Sequence, residues 1–167
     1  SGRDGGHAPL NAARHDEVFT DCEHRHRMAL GLLDSIGRNA EPDAALQIAA
    51  EGFKDFMVRY YTEVLDGTEP GSQEQFDAFR KHYEEYAEKS PYIRILESTP
   101  STLKVIYERC PFAEVMEERG LSGLTEAYCS SDGAFTEALL PGVRFSREHV
   151  IARGDDFCDH TWTKDNK

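Results

Sequence analysis

The sequence predicts an α+β fold in which N-terminal helices pack on a small antiparallel sheet of about four strands, with two helices inserted between strand pairs. Apolar residues recur at helical spacing through the first half, whereas short runs of β-forming residues alternate with turn residues from residue 92 onward. The 167 residues are enough for one domain with a buried core. We therefore expect a single domain over residues 9–167, with a helical half at 9–90 and a sheet-containing half at 91–167. Residues 1–8 are expected to be a disordered or expression-derived terminus.

Three amphipathic helices are predicted in the helical half. A glycine follows the first, a proline opens the second, and the sequence Ser-Gln-Glu-Gln, which fits a capping box, opens the third. The predicted ranges are 18–36, 42–67 and 72–90.

The sheet-containing half is predicted to hold two strand pairs separated by two helices. A turn at residues 98–101 would join the first pair, and Pro111 would open the first helix after it. The second pair would be a hairpin with its turn at residues 153–156, where Gly154 can adopt a positive φ. The predicted strands are 92–97, 103–108, 143–152 and 157–163, and the predicted helices are 111–120 and 122–140.

Charge and hydropathy exclude several classes of partner. The chain has 19 Lys and Arg against 31 Asp and Glu, a net charge of −12, and its basic residues are dispersed among acidic ones, so we expect no nucleic-acid partner. No apolar run approaches the ~20 residues of a membrane span, and we expect a cytoplasmic protein that does not contact membranes. Its four cysteines are then expected to be reduced. The exposed-looking aromatic residues of the helical half make a homodimer a reasonable expectation.

Three cysteines of the sheet-containing half lie beside residues that chemistry can use. Cys129 and Asp132 share one face of a predicted helix, and Cys158 and His160 share one face of the last predicted strand. Cys110 lies where a strand passes into a helix, and the free N–H groups of that helix would lower the pKa of its thiol. We expect these five residues to line a common cavity.

Two chemistries fit this set, and the sequence leaves both open. A thiolate of Cys110 or Cys129 could attack a substrate carbon, with Asp132 orienting the substrate or activating water and His160 transferring the proton. Alternatively, Cys110, Cys129, Cys158 and His160 could hold a divalent metal, Zn or Mn, although their spacing differs from compact Cys-x-x-Cys sites. Purely structural roles are also open: the cysteines as buried apolar residues, Asp132 as a solvent-facing carboxylate, and His160 as a buried ring bonded to a backbone carbonyl.

A second group of candidate residues lies on the first predicted helix, at His15, Cys22, His24 and His26. Cys22 and His26 are four residues apart and therefore adjacent on one helical face, which suits metal binding or the lining of the same cavity. Arginine and glutamate residues interrupt the run, which favours a solvated helix side with Cys22 in the core.

Four segments of the sheet-containing half carry a family resemblance: Tyr-Glu-Arg-Cys-Pro-Phe-Ala-Glu at 107–114, Tyr-Cys-Ser-Ser-Asp at 128–132, Leu-Pro-Gly-Val-Arg-Phe at 140–145 and Gly-Asp-Asp-Phe-Cys-Asp at 154–159. In this order they resemble the L-2-amino-thiazoline-4-carboxylic acid hydrolase family. The resemblance implies a cytosolic bacterial protein that opens a small cyclic amidine-like ring, with some members acting on other substrates in specialised metabolism. This chain has His160 where the family pattern has an aromatic residue, usually phenylalanine, so a titratable ring would face the cavity.

The function expected from residues and resemblance together is a cysteine-dependent hydrolase or related tailoring enzyme. It would open or cleave a C–N bond in a small cyclic, amino-acid-derived nitrogen compound. An alternative is a small-molecule-binding or sensory module with a Cys/His zinc site and no turnover, which a weaker similarity of residues 154–158 to the end of vinyl-reductase-type domains supports. A third is a structural or partner protein that uses its acidic surface or its helical half.

Overall fold

The computed structural model describes residues 16–165, so the predictions for residues 1–8 and for His15 lie outside the described residues. Within that range the α+β fold is confirmed, with helices first and two helices between two strand pairs. The helices are α1 (Glu17–Asn39), α2 (Pro42–Val64), α3 (Gln73–Lys89), α4 (Pro111–Glu118) and α5 (Thr125–Leu139). The strands are β1 (Ile93–Thr99), β2 (Thr102–Tyr107), β3 (Val143–Ser146) and β4 (Cys158–Lys164), and short 3-10 turns cover Ser122–Leu124 and Ile151–Arg153.

Side chains cap the first turns of two helices, of which the sequence predicts the cap of α3. Asp16 Oδ1 accepts the backbone N–H of Phe19 at 3.0 Å and caps α1, and Ser72 Oγ accepts the N–H of Gln75 at 3.0 Å and caps α3. The Gln75 side chain accepts the N–H of Gly71, the residue before the cap, at 2.9 Å, so the capping box is completed one residue early.

The four strands form one antiparallel sheet in the order β1-β2-β4-β3. Strand β4 therefore lies inside the sheet, where Tyr107 is paired with Cys158 and Val105 with His160. Alternate β4 residues, beginning with Cys158, are buried on one face. At the far end of that face Trp162 is fully buried and its indole N–H donates to Thr136 Oγ1 of α5 at 2.9 Å. Helix α5 packs along α2 and over β3, and so it covers this face of the sheet.

The predicted strand at 143–152 is confirmed only for residues 143–146, which pair with β4, and the predicted hairpin turn at 153–156 is wrong. β3 ends at Ser146, and the chain reaches β4 through irregular backbone that includes the Ile151–Arg153 turn. Side chains take the backbone donors that a ladder would use: Asp159 Oδ1 accepts the N–H of His149 at 2.6 Å, and Asp155 Oδ2 accepts that of Val150 at 2.7 Å. Gly154 has φ +100° at the end of the 3-10 turn, so the predicted need for glycine there is confirmed.

In residues 16–165 no helix has both the length and the apolar character that crossing a bilayer requires.

Candidate active site

A cavity of about 120 Å³ lies between α1, the start of α4, α5 and the end of the sheet. This is several times the space that a water molecule needs, so a small organic molecule fits. Its lining includes all five residues that the sequence predicts: Cys110, Cys129, Asp132, Cys158 and His160. The predicted convergence around one cavity is confirmed. Other lining side chains include Cys22, Arg25, His26, Tyr107, Arg109, Tyr128 and Arg147.

The periodicities of α5 and β4 bring the thiols together. Cys129 and Asp132 lie one turn apart on the inner side of α5, and Cys158 and His160 are alternate residues of β4 on its buried face. Cys129 and Cys158 are 6% and 7% exposed and pack in one apolar cluster, with Cys110 packed against it. All four cysteines of the chain are free thiols.

Cys110 is the N-cap residue of α4, and its Sγ accepts the backbone N–H of Ala113 at 3.4 Å. The strand-to-helix placement is therefore as predicted, but the predicted lowering of its pKa is wrong. Burial raises the pKa of the Cys110 thiol well above its usual range and outweighs the stabilising N–H, because desolvation disfavours the thiolate. At rest Cys110 is a neutral thiol that also closes a helix end.

Arg147 affects the pKa values of the other two predicted thiols, Cys129 and Cys158. Burial raises the pKa of Cys129 to about 12 and also raises that of Cys158, while the positive charge of Arg147 acts in the opposite direction on both. The backbone N–H of Ile151 donates to Cys158 Sγ at 3.2 Å and favours its thiolate. A thiolate at either residue raises the pKa of the other, so the cavity favours one thiolate at a time.

Asp132 is the buried carboxyl group of the cavity, with its side chain 14% exposed, so the solvent-facing alternative is wrong. Burial raises its pKa to about 7, against the opposing effect of Arg147, whose Nη1 donates to Asp132 Oδ2 at 3.4 Å. A carboxyl group in this range exchanges protons readily at neutral pH. It is therefore better suited to proton transfer than an ordinary aspartate.

His160 is 6% exposed, and burial, aided by Arg147, lowers the pKa of its ring to about 3. The ring is therefore neutral at pH 7. Its Nδ1 has no hydrogen-bond partner within residues 16–165 and lies 3.9 Å from Asp132 Oδ2. A backbone carbonyl thus does not hold Nδ1, and the proton-transfer role expected of His160 fits Asp132 better.

Arg147 and Arg109 are cavity residues that the sequence reasoning did not select. Arg147 follows β3 and is separated from Asp132 by 15 positions, so no spacing signal marks the pair. Arg109 Nε donates to Glu114 Oε1 and its Nη1 to Asp16 Oδ2, both at 2.7 Å. Arg109 therefore ties the start of α1 to α4 at the cavity wall.

Two of the candidate residues on α1 also line the cavity. Cys22 Sγ lies 3.7 Å from His26 Nδ1, and burial raises the pKa of Cys22 to about 11. His24 is exposed and contacts Arg27 instead. The expectation that part of this run lines the same cavity is confirmed for Cys22 and His26, whereas the solvated-side interpretation fits His24.

The predicted metal ligands do not form a compact set. Across residues 16–165 the one group of three or more potential ligand atoms that lie within 4.8 Å of one another belongs to Glu148, His149 and Asp159. The donor atoms of Cys110, Cys129, Cys158 and His160 do not meet that spacing, and tetrahedral zinc with bonds of about 2.0–2.3 Å requires it. These residues as arranged do not fit a metal ion, and no chemical step is assigned to one.

The sequence model of the L-2-amino-thiazoline-4-carboxylic acid hydrolase family matches residues 23–162. The chain belongs to this family. The hydrolase match extends through the helical half, beyond the segments that carry the resemblance in the sequence, and it includes all five predicted cavity residues. Cys22 lies one position before it. A search of curated proteins finds no match to the chain.

Proposed function

We propose that this member of the hydrolase family is a cysteine-dependent enzyme that opens a small cyclic, amino-acid-derived amidine-like ring by cleaving a C–N bond. The observation that carries the proposal is the position of Asp132, with its pKa near 7, in the same small cavity as Cys129 and Cys158. Family membership supports hydrolysis, and the cavity volume supports a small substrate. Cys129 or Cys158 would supply the nucleophile, Asp132 the proton-transfer group, and the cavity the space for one ring.

The nucleophile is assigned to Cys129 or Cys158. Arg147 and Asp132 are among the groups that act on the pKa of both thiols, whereas the other cysteines are prominent among those acting on Cys110, which also caps α4. A substrate amidinium in the cavity would add a positive charge beside the sulfur and lower the thiol pKa further. Substrate binding thereby activates a thiol that is neutral at rest.

Asp132 accounts for the proton transfers of the first half-reaction. As Sγ bonds to the ring carbon, the Asp132 carboxylate takes the thiol proton and the C=N electron pair moves onto nitrogen. Asp132 then gives this proton to the departing ring nitrogen as the C–N bond breaks, and the carbon remains attached to Sγ. The carboxylate is ionised again at the end of this half-reaction.

Water completes the cycle in the second half-reaction. It adds to the sulfur-bound carbon while Asp132 takes one of its protons. The C–Sγ bond then breaks as a C=O bond forms, the proton on Asp132 goes to sulfur, and the hydroxyl proton goes to the amine released in the first half-reaction. Each turnover consumes one water, and the free thiol is restored. Burial raises the pKa values of Tyr107 and Tyr128 well above the usual range, so both phenols keep their protons and can donate hydrogen bonds to the tetrahedral intermediates.

Incubation with L-2-amino-thiazoline-4-carboxylate and related cyclic amidines tests the proposal, with mass spectrometry and NMR to detect a ring-opened product heavier by one water. Asp132→Asn should reduce turnover by roughly 10²- to 10⁴-fold, because the proton-transfer group is lost. The matched control is Ser130→Ala, which changes an exposed residue of the same helix and should turn over like the parent chain. Binding without ring opening for every compound would contradict the proposal and favour a sensory module.

A further inference from the structure

Arg147 is a buried cation with few partners. Its side chain is 10% exposed, and within residues 16–165 its guanidinium makes one hydrogen bond, from Nη1 to Asp132 Oδ2 at 3.4 Å. That distance is at the long end for a charge-assisted hydrogen bond. The guanidinium group has five N–H donors, so most of its donor capacity is unused.

The other arginines of the cavity differ from Arg147 in this respect. Arg109 donates from Nε, Nη1 and Nη2 to the carboxylates of Glu114 and Asp16 at 2.7–3.0 Å. Arg25 also lines the cavity, but its side chain is 62% exposed and pairs with Asp21 one turn earlier on α1. Arg147 is therefore the cavity arginine that is both buried and available to a ligand.

Two side chains, Phe145 and Asp132, flank the guanidinium of Arg147. Its Cζ lies 5.8 Å from the centre of the Phe145 ring, and Asp132 contacts one of its terminal nitrogens. The remaining N–H groups of the planar guanidinium form a fork, which matches the two oxygens of a carboxylate. Burial strengthens such a pair because water competes less for both groups.

We infer that Arg147 is a positioning residue that binds the carboxylate group of the substrate and so directs the ring carbon toward Cys129 and Cys158. The inference rests on the proposed function, since it assigns the substrate of that same cavity to the carboxylate-bearing cyclic compounds. Arg147, Cys129 and Cys158 line one cavity of about 120 Å³, so a small ligand paired with the guanidinium shares that space with both thiols. Asp132, on the same guanidinium, then faces the ring nitrogen.

Binding of an unreactive ring tests the inference separately from catalysis. The probes are 2-aminothiazole-4-carboxylate and its carboxamide, which have the same shape and differ in charge, measured by calorimetry or ligand-detected NMR. The parent chain should bind the carboxylate roughly ten-fold or more tightly than the carboxamide, because only the carboxylate forms the charged bidentate pair. A parent chain that binds neither probe, or both equally, would overturn the inference.

Variants show whether this preference depends on Arg147. Arg147→Met should abolish the preference for the carboxylate, and Arg147→Lys, which keeps the charge but not the fork, should retain part of it. The matched control is Arg144→Gln, which removes an exposed arginine of β3 that pairs with Asp165 outside the cavity lining and should keep the full preference. A full preference in a folded Arg147→Met variant would overturn the inference.

Turnover measurements separate the two proposals. If a substrate is opened, Arg147→Met should raise KM and lower kcat/KM for it, and an unchanged KM would overturn the role of Arg147 while leaving the hydrolase intact. If the chain prefers the carboxylate probe through Arg147 but opens no ring, the proposed hydrolysis fails and the carboxylate site stands.

Discussion

At the residue scale, Asp132 and His160 show how burial acts in opposite directions on an acid and a base. The two groups lie 3.9 Å apart, and desolvation raises the pKa of the carboxyl to about 7 and lowers that of the imidazole to about 3. Near pH 7 the imidazole is neutral and the carboxyl is close to half protonated. The cavity therefore combines a carboxyl ready to exchange protons with a neutral ring.

Replacement of Asp132 by asparagine should change how stability varies with pH. The folded pKa of Asp132 is above its usual value, so its favourable contribution is present below about pH 4 and is lost as pH rises toward 7. A shift from 3.8 to about 7 corresponds to a loss on the order of 4 kcal/mol. Asp132→Asn should therefore gain stability relative to the parent chain between pH 4 and pH 8 in denaturant titrations. A pH-independent difference would show that Asp132 is ionised throughout.

Replacement of His160 should have the opposite pH dependence. Its folded pKa is below its usual value, so its contribution is present above about pH 6.5 and is lost as pH falls toward 3. His160→Phe, with the aromatic residue usual in the family pattern, and His160→Asn, which keeps a polar group, should both resist acid better than the parent chain. Melting temperatures between pH 4 and pH 7 measure this. Parallel curves for parent and variants would contradict a neutral buried imidazole.

At the element scale, two arginines link α1 to α4, and they differ in burial. Glu114 and Arg109 are 10% and 13% exposed at their side chains, and Arg109 also binds Asp16 at the start of α1. The second pair, Arg119 with Glu23, is 37% and 38% exposed. Since α1 carries Cys22 and His26 to the cavity, the inner pair also sets one wall of the site.

Removal of the inner arginine should destabilise the fold much more than removal of the outer one. Arg109→Met leaves the carboxylate of Glu114 buried without its partner, which costs about 3–5 kcal/mol in comparable pairs. Arg119→Met, the matched control, should cost at most about 1 kcal/mol, because water screens an exposed pair. Urea denaturation of both variants measures the difference. Equal losses would mean that the Arg109 network adds no more than a surface pair.

The stretch between β3 and β4 shows the limit of prediction for elements. Residues 143–152 have the alternation of a strand, but the carboxylates of Asp155 and Asp159 take the backbone donors of Val150 and His149. Those acceptors lie five and ten residues further along the chain, so no local sequence pattern predicts these hydrogen bonds. The irregular backbone that results places Arg147 beside Asp132.

At the scale of the whole molecule, the net charge is a poor guide to the cavity. The chain carries −12 overall, yet three arginines and one aspartate line this space. The net charge is dominated by the many exposed acidic residues and does not show the charge of the few buried side chains that line the cavity. The net charge favours the absence of a nucleic-acid partner, which stays a prediction, and it says nothing about an anion site.

The periodic parts of the fold were predictable, and the long-range pairings were not. Helical spacing and capping signals predict the helices, and alternation on β4 predicts that Cys158 and His160 face inward together. The degree of burial could not be read from spacing, which is why the predicted lowering of the Cys110 pKa failed. Arg147 was missed for the same reason, because its role depends on a contact between a loop and α5. The expectations of a cytoplasmic location and a homodimer stay predictions.

The central claim is that a cavity thiol attacks the substrate carbon. The most direct measurement is intact-protein mass spectrometry of a reaction with L-2-amino-thiazoline-4-carboxylate quenched in acid, followed by peptide mapping of the modified cysteine. The account predicts a substrate-derived adduct on Cys129 or Cys158 that disappears, together with turnover, when that cysteine is replaced by alanine. Full turnover in a chain with alanine at both positions would contradict it.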